Sequence, residues 1–381
     1  MIREVLVTVP VTPTNHSHAA PQKLRLTAKV SRLPQLDGLR GVAVLAVLVH
    51  HFLPVEKILP ADFLTLGLLG VRFFFTLSGF LITGLLLGSQ TLGTFYFRRA
   101  MRIFPAYYLC LVIVAVLGVL EAREFFWWHA SYLSNVLFTF YPGTGTATSH
   151  FWSLAVEEQF YFVWPWLVLN TTTKNVWKLA VGAILCTLVF KTVLAFTVGA
   201  HPAGGLLPFA CLDSLGLGAL LACFSHDERL QPYRERFLRV ALASGSMIVA
   251  AQTILYFSGR GSRIFYSTAY LGVSLVFTWL VGKAADGKLA KVIEARPLLY
   301  TGKISYGIYL WHYFMPGLVV GTLGQVPSVW VLAGLATVFT YITAAVSWTM
   351  VESPLNSFKD KITARRTKLT AATLENSPAS V

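Results

Sequence analysis

Charge is scarce in this sequence. Of 381 residues only 13% are Asp, Glu, Lys or Arg while 55% are hydrophobic, more apolar surface than a soluble core of that length can hide. A soluble globular protein is thereby excluded, and the bilayer is the natural solvent. Cysteine is scarcer still. Cys110, Cys186, Cys211 and Cys223 fall in apolar segments without CxxC spacing, so neither a disulfide framework nor a zinc site is expected, and no metal is assigned. Acidic side chains number 17 against 31 Lys and Arg, a net charge of +14. That excess does not indicate nucleic acid, because the basic residues are spread loop by loop rather than gathered on one aromatic-interleaved patch. No internal repeat is visible. Residues 1–35 lack the basic start, apolar core and small-residue cleavage site of a signal peptide.

What the sequence has in quantity is apolar runs. Those at 38–53, 66–88, 103–120, 151–169, 176–198, 205–225, 238–257, 264–282, 298–321 and 328–351 each approach the ~20 residues that span a hydrocarbon core. The expected fold is all-α, a polytopic membrane protein of about ten transmembrane helices. Basic residues cluster at 3–32, 98–102, 174–178, 229–239, 283–296 and 359–368, whereas the intervening loops hold only Lys57, Arg123, Arg260 and Arg263. By the positive-inside rule both termini are cytoplasmic, which needs an even number of spans and agrees with ten. Residues 1–35 and 354–381 read as cytoplasmic tails around a membrane domain at 36–353. The longest outer connection, 121–150, carries Phe125, Trp127 and Trp128, as an interfacial element does. With no appended soluble domain, the membrane domain must hold any active site.

Ionisable groups in a spanning helix cost roughly 2.5–3.5 kcal/mol each, so each is a functional hypothesis. In LDGLRGVAVLAVLVHH, Arg40 and His51 are eleven residues apart, which puts them within about 20° on one face and about 16 Å apart along the axis. His50 lies off that face. The second run carries Arg72 and Ser78 with Gly70 and Gly79, the fourth carries Glu157 and Glu158, and Lys191, Asp213 and His312 complete the set. Counting along each span puts His51, His312, Lys191, Arg72, Glu157, Glu158 and Asp213 in one layer between midplane and outer surface, with Arg40, Arg98, Arg99 and Arg102 at the cytoplasmic face. Arg99 and Arg102, at i and i+3 in FRRAMRIFP ahead of the third helix, share a side and fit either an anionic ligand or anchoring to anionic lipid.

Taken together, LDGLRGVAVLAVLVHH, GVRFFFTLSGFLI, FRRAMRIFP, FWSLAVEEQFYFVWP, ISYGIYLWH and VESP resemble the acyltransferase-3 family of bacterial membrane O-acyltransferases over roughly residues 33–358. The resemblance implies a ten-helix domain of the bacterial inner membrane. It would take an acyl group, often acetyl, from cytoplasmic acyl-CoA and transfer it to a hydroxyl of a carbohydrate-containing acceptor. The family's Arg and His with ten residues between them fall on Arg40 and His51, and its Arg-x-x-Arg element on Arg99 and Arg102. Many relatives carry Asp where this chain has Arg72. Some members add an extracytoplasmic esterase-like domain, for which this length leaves no room.

Acyl transfer from a thioester to an alcohol needs a base, donors for the oxyanion and a grip on CoA phosphates. His51 is expected as base or transient acyl acceptor, against the alternative of a buried histidine satisfied by a helix neighbour. Glu157 or Glu158 is expected to orient His51 or to bind acceptor hydroxyls, against the alternative of an ion pair with Arg72 or Lys191. Arg40, Arg99 and Arg102 are the expected CoA ligands, and Arg72, Ser78, Trp152 and His312 the candidate substrate contacts. Ser78, beside a glycine, also suits helix packing. The rival from another class is a transporter or flippase using the same buried groups as a relay, which the lack of repeats disfavours.

Overall fold

Three hydroxyl residues cap the starts of long apolar helices. Thr65, Thr91 and Ser328 each accept a hydrogen bond from the backbone N–H three residues on, satisfying one of the orphan donors of a first turn. The computed structural model describes residues 33–54, 65–88, 90–197, 205–259, 263–324, 326–358 and 362. The two expected tails and Lys57 lie almost wholly outside them. The described residues form fifteen α-helices. In chain order these are α1 (Pro34–Phe52), α2 (Leu66–Leu87), α3 (Leu92–Val116), the short α4 (Leu120–Glu124), α5 (Phe126–Ala130) and α6 (Ser134–Phe140), then α7 (Phe151–Leu169) and α8 (Val176–Thr197). They continue with α9 (Leu212–His226), α10 (Arg234–Phe257), α11 (Arg263–Ala285), α12 (Arg296–Lys303), α13 (Ser305–Trp311), α14 (Met315–Leu323) and α15 (Val329–Ser347).

Among the described residues five helical stretches are long and apolar enough to cross a membrane: Leu66–Leu87, Leu92–Val116, Thr173–Thr197, Gln231–Phe257 and Val329–Phe358. The difference from ten has physical causes. Asp37, Arg40, His50 and His51 dilute the apolar character of α1, as Glu157 and Glu158 do that of α7, while α9 is only 15 residues long. The ninth expected span is broken into α12, α13 and α14, with a 3-10 turn at His312–Phe314 and Pro316 in the first turn of α14. FRRAMRIFP lies inside α3 rather than ahead of it, because the helix already starts at Leu92. Large apolar side chains on the outer helices, among them Val189, Phe196, Met247, Ile254, Val338 and Ile342, are exposed, as in a multi-pass protein surrounded by lipid.

The central helices pack closely. A Cβ on Gly79 of α2 would collide with the Leu215 carbonyl of α9, and one on Gly218 of α9 with the Thr76 carbonyl of α2, so small residues let these two backbones touch. The core around them includes Val44, Phe75, Tyr107, Phe151 and Ile308. Pro105 interrupts α3 one turn after Arg102, and the Tyr306 hydroxyl donates to the nearby Ile103 carbonyl at 3.1 Å. This ties the arginine-bearing turn to α13.

Candidate active site

Between α1, α2, α3, α7 and α13 lies a cavity of about 250 Å³ whose lining includes Arg40, Ser78, Arg99, Arg102, Ser153, Glu157, Glu158, Tyr161, Ser305 and Tyr309. Six of the expected site residues therefore converge on one space. At one end Arg40 donates through Nη2 to Ser305 Oγ at 3.0 Å and through Nη1 to Asp37 Oδ1 at 3.4 Å. The Arg99 guanidinium stands 4.8 Å over the Tyr161 ring. Neither Arg99 nor Arg102 reaches a hydrogen-bond acceptor among the described residues. Guanidinium forks left open in a cavity favour an anionic ligand with several oxygens, such as a phosphate.

Midway along the cavity Ser78 Oγ donates to Glu157 Oε1 at 2.7 Å and lies 2.8 Å from the Tyr161 hydroxyl. The single Ser78 proton is committed to the carboxylate, so Tyr161 donates to Ser78. Glu158 lines the same cavity and has no hydrogen-bond partner among the described residues. Glu157 thus meets Ser78 and Tyr161, not His51, and neither glutamate pairs with Arg72 or Lys191.

Two hydroxyls of the lining meet each other. Tyr309 Oη lies 2.5 Å from Ser153 Oγ, and each is also within reach of the His150 carbonyl, at 3.3 and 3.1 Å, so that one hydroxyl donates to the other and the second to the carbonyl. Next to these hydroxyls stands a histidine cluster from α1, the 3-10 turn after α13 and the start of α7. His312 Nε2 is 3.2 Å from His51 Nδ1, the His150 ring is 5.2 Å from that of His312, and Tyr313 stacks on His150 at 5.1 Å. His51 is exposed and His312 fully buried. Despite this crowding, no group of three or more His, Cys, Asp or Glu among the described residues is placed to hold a metal ion.

The single layer expected from counting along the spans is in fact divided. Arg72, Lys191 and Asp213 form a sealed cluster between α2, α8 and α9, with Arg72 Nη1 to Asp213 Oδ1 and Lys191 Nζ to Asp213 Oδ2 both 2.9 Å. Tyr270 of α11 covers both cations, its ring 4.5 Å from Arg72 and 5.5 Å from Lys191. Arg72, expected at the substrate, is 2% exposed and does not line the cavity. Trp152, also expected there, packs edge-on against Phe75 at 6.0 Å.

Sequence reasoning passed over His150, Ser153, Tyr161 and Tyr309. His150 directly precedes the string FWSLAVEEQFYFVWP, the other three lie within it or ISYGIYLWH, and the signal was available as hydroxyls and imidazole beside the residues already chosen.

Two comparisons bear on this arrangement. A family model described as an acyltransferase domain, acyltransferase 3, matches residues 33–350. The chain is 32% identical to the peptidoglycan O-acetyltransferase OatA of Listeria monocytogenes serovar 1/2a, over 89% of this chain and 60% of that protein. It is 29% identical to the putative peptidoglycan O-acetyltransferase YrhL of Bacillus subtilis, over 85% of this chain and 55% of that one. A putative O-acetyltransferase of Staphylococcus aureus is 28% identical, over 86% of this chain and 58% of its own length. The chain thus spans under two thirds of the length of these relatives. No solved structure matches it.

Proposed function

The chain belongs to the acyltransferase-3 family, and from that premise we propose that it transfers an acyl group, acetyl in the simplest case, from acyl-CoA to a hydroxyl of a carbohydrate acceptor. The observation that carries this reading is a juxtaposition. Arg40, Arg99 and Arg102 line the same cavity as Ser153 and Tyr309, whose hydroxyls meet beside His150, and the His150 ring lies against the His51–His312 pair. In this reading Arg40, Arg99 and Arg102 hold CoA phosphates at a cytoplasmic mouth. Both termini share that side of the inner membrane. The pantetheine arm, whose amide and hydroxyl groups Glu157, Glu158 and Ser78 can meet, lies along the cavity toward Tyr309.

Displacing the Tyr309 hydroxyl opens the route to His51. An acceptor hydroxyl arriving from the opposite side attacks the thioester carbonyl while its proton passes to His51. The C–S bond breaks, and the thiolate takes that proton from the imidazolium. Ser153 and Tyr309, in the cavity lining beside His150, are the donors available to the oxyanion. One relative is a peptidoglycan O-acetyltransferase and another a putative one, which favours a cell-wall or surface glycan as acceptor here.

Mass spectrometry of surface glycans from cells carrying wild-type protein or His51→Ala tests the reading. Loss of an acetyl mass in the variant is expected. Unchanged acetylation rejects His51 as base, and labelled-solute uptake without acyl transfer would favour a transporter instead.

A further inference from the structure

We infer that His312 is the positioning residue of this site, holding His51 in the tautomer that leaves its Nε2 free as the base. The inference rests on the reading of His51 as base. Its first step is the carbonyl of Tyr309, 2.6 Å from His312 Nδ1. A carbonyl only accepts, so the His312 proton sits on Nδ1 and its Nε2 is a lone pair. That lone pair lies 3.2 Å from His51 Nδ1, which is also 3.0 Å from the Val47 carbonyl. Both neighbours of His51 Nδ1 are acceptors. The His51 proton is therefore on Nδ1, and Nε2 of this exposed residue carries the lone pair that can take a proton from a hydroxyl.

The break in the ninth span serves this geometry. At His312 the chain leaves the α-helix of α13 for a 3-10 turn, and the Tyr309 carbonyl, in the last turn of α13 where carbonyls need partners from outside the helix ladder, meets the His312 ring. His312 is 0% exposed, so it has no surface to offer a sugar. That separates a positioning role from the acceptor contact expected of it. When His51 becomes an imidazolium, its Nδ1–H remains shared between the Val47 carbonyl and His312 Nε2. No proton travels on through His312, since its Nδ1–H is held by a carbonyl. The proton on His51 Nε2 leaves for the CoA thiolate.

The test is steady-state kinetics on the full-length protein in proteoliposomes, with acetyl-CoA as donor and an N-acetylglucosamine pentamer as probe acceptor. His312→Ala is expected to lower kcat by about 100-fold, within the range of general-base effects, with both KM values unchanged. His312→Gln, whose side-chain oxygen can accept the Nδ1–H, should recover about tenfold of that loss, and in a His51→Ala background His312→Ala should cost nothing more. A raised acceptor KM with kcat intact would overturn the inference, as would equal loss in the Ala and Gln variants or additive losses with His51→Ala. Full activity in His51→Ala would instead reject the base reading itself, whereas an inactive His51→Ala beside a fully active His312→Ala would reject only the role of His312. If His312→Ala does not fold, the Gln variant alone and combined with His51→Ala decides.

Discussion

Two regions of this molecule hold cations among apolar helices, and they are built in opposite ways. Around Asp213, Arg72 and Lys191 share one carboxylate at 2.9 Å and are covered by Tyr270. Around the cavity, Arg99 and Arg102 face open space with two glutamates in the same lining but no ion pair among them. Burying a charge is costly in either place. In the first the cost is offset by a partner inside the fold, which pins α2, α8 and α9 together. In the second the partner is missing from the fold, and the site is completed by whatever anion enters. Residue type alone does not separate structure from function here; the presence of an internal counter-charge does.

The comparison can be broken most forcefully at Asp213. Asp213→Asn leaves two buried cations without their counter-charge, and removing one partner of such a pair costs about 3–5 kcal/mol. Thermal unfolding in detergent should fall accordingly, and an unchanged midpoint would remove the structural role assigned to this cluster. At the cavity the opposite pattern is expected. Arg99→Ala or Arg102→Ala should leave the unfolding midpoint in place and raise the KM for acetyl-CoA, since each lost charge-assisted hydrogen bond is worth about 1.5–3 kcal/mol, roughly tenfold to a hundredfold. A fall in stability with unchanged KM would make these arginines structural too. The smallest effect concerns the Tyr309–Ser153 hydroxyl pair. Tyr309→Phe removes a hydrogen bond worth about 1 kcal/mol, and acceptor-independent hydrolysis of acetyl-CoA should rise about fivefold if the Tyr309–Ser153 contact keeps donor and base apart.

Much of the helical layout was legible in advance. The run 151–169 coincides with α7, and 66–88 and 176–198 each match a helix to within one residue, because hydrocarbon-length apolar segments bounded by capping or polar residues have few alternatives. The ninth span was not legible as broken. ISYGIYLWHYFMP reads as continuous apolar sequence, and the contact of the His312 ring with His51, 261 residues away, is made only in the folded chain. Arg40, Arg99 and Arg102 were placed together through their motifs, and the structure brings them to one cavity. Arg72 was grouped with the substrate because depth along a helix says nothing of azimuth relative to a neighbouring helix, and its partner Asp213 lies 141 residues away.

The sequence by itself determined the solvent, the family and the inventory of costly polar side chains, since composition and in-line spacing act within single segments. Only the tertiary structure decided which of them satisfy one another. Hydrogen bonds and ion pairs act over about 3 Å, and the meetings of His51 with His312, Ser78 with Glu157 and Tyr309 with Ser153 are made by helices far apart in the chain. The same rule sealed Arg72 and Lys191 around Asp213 and left Arg99 and Arg102 open.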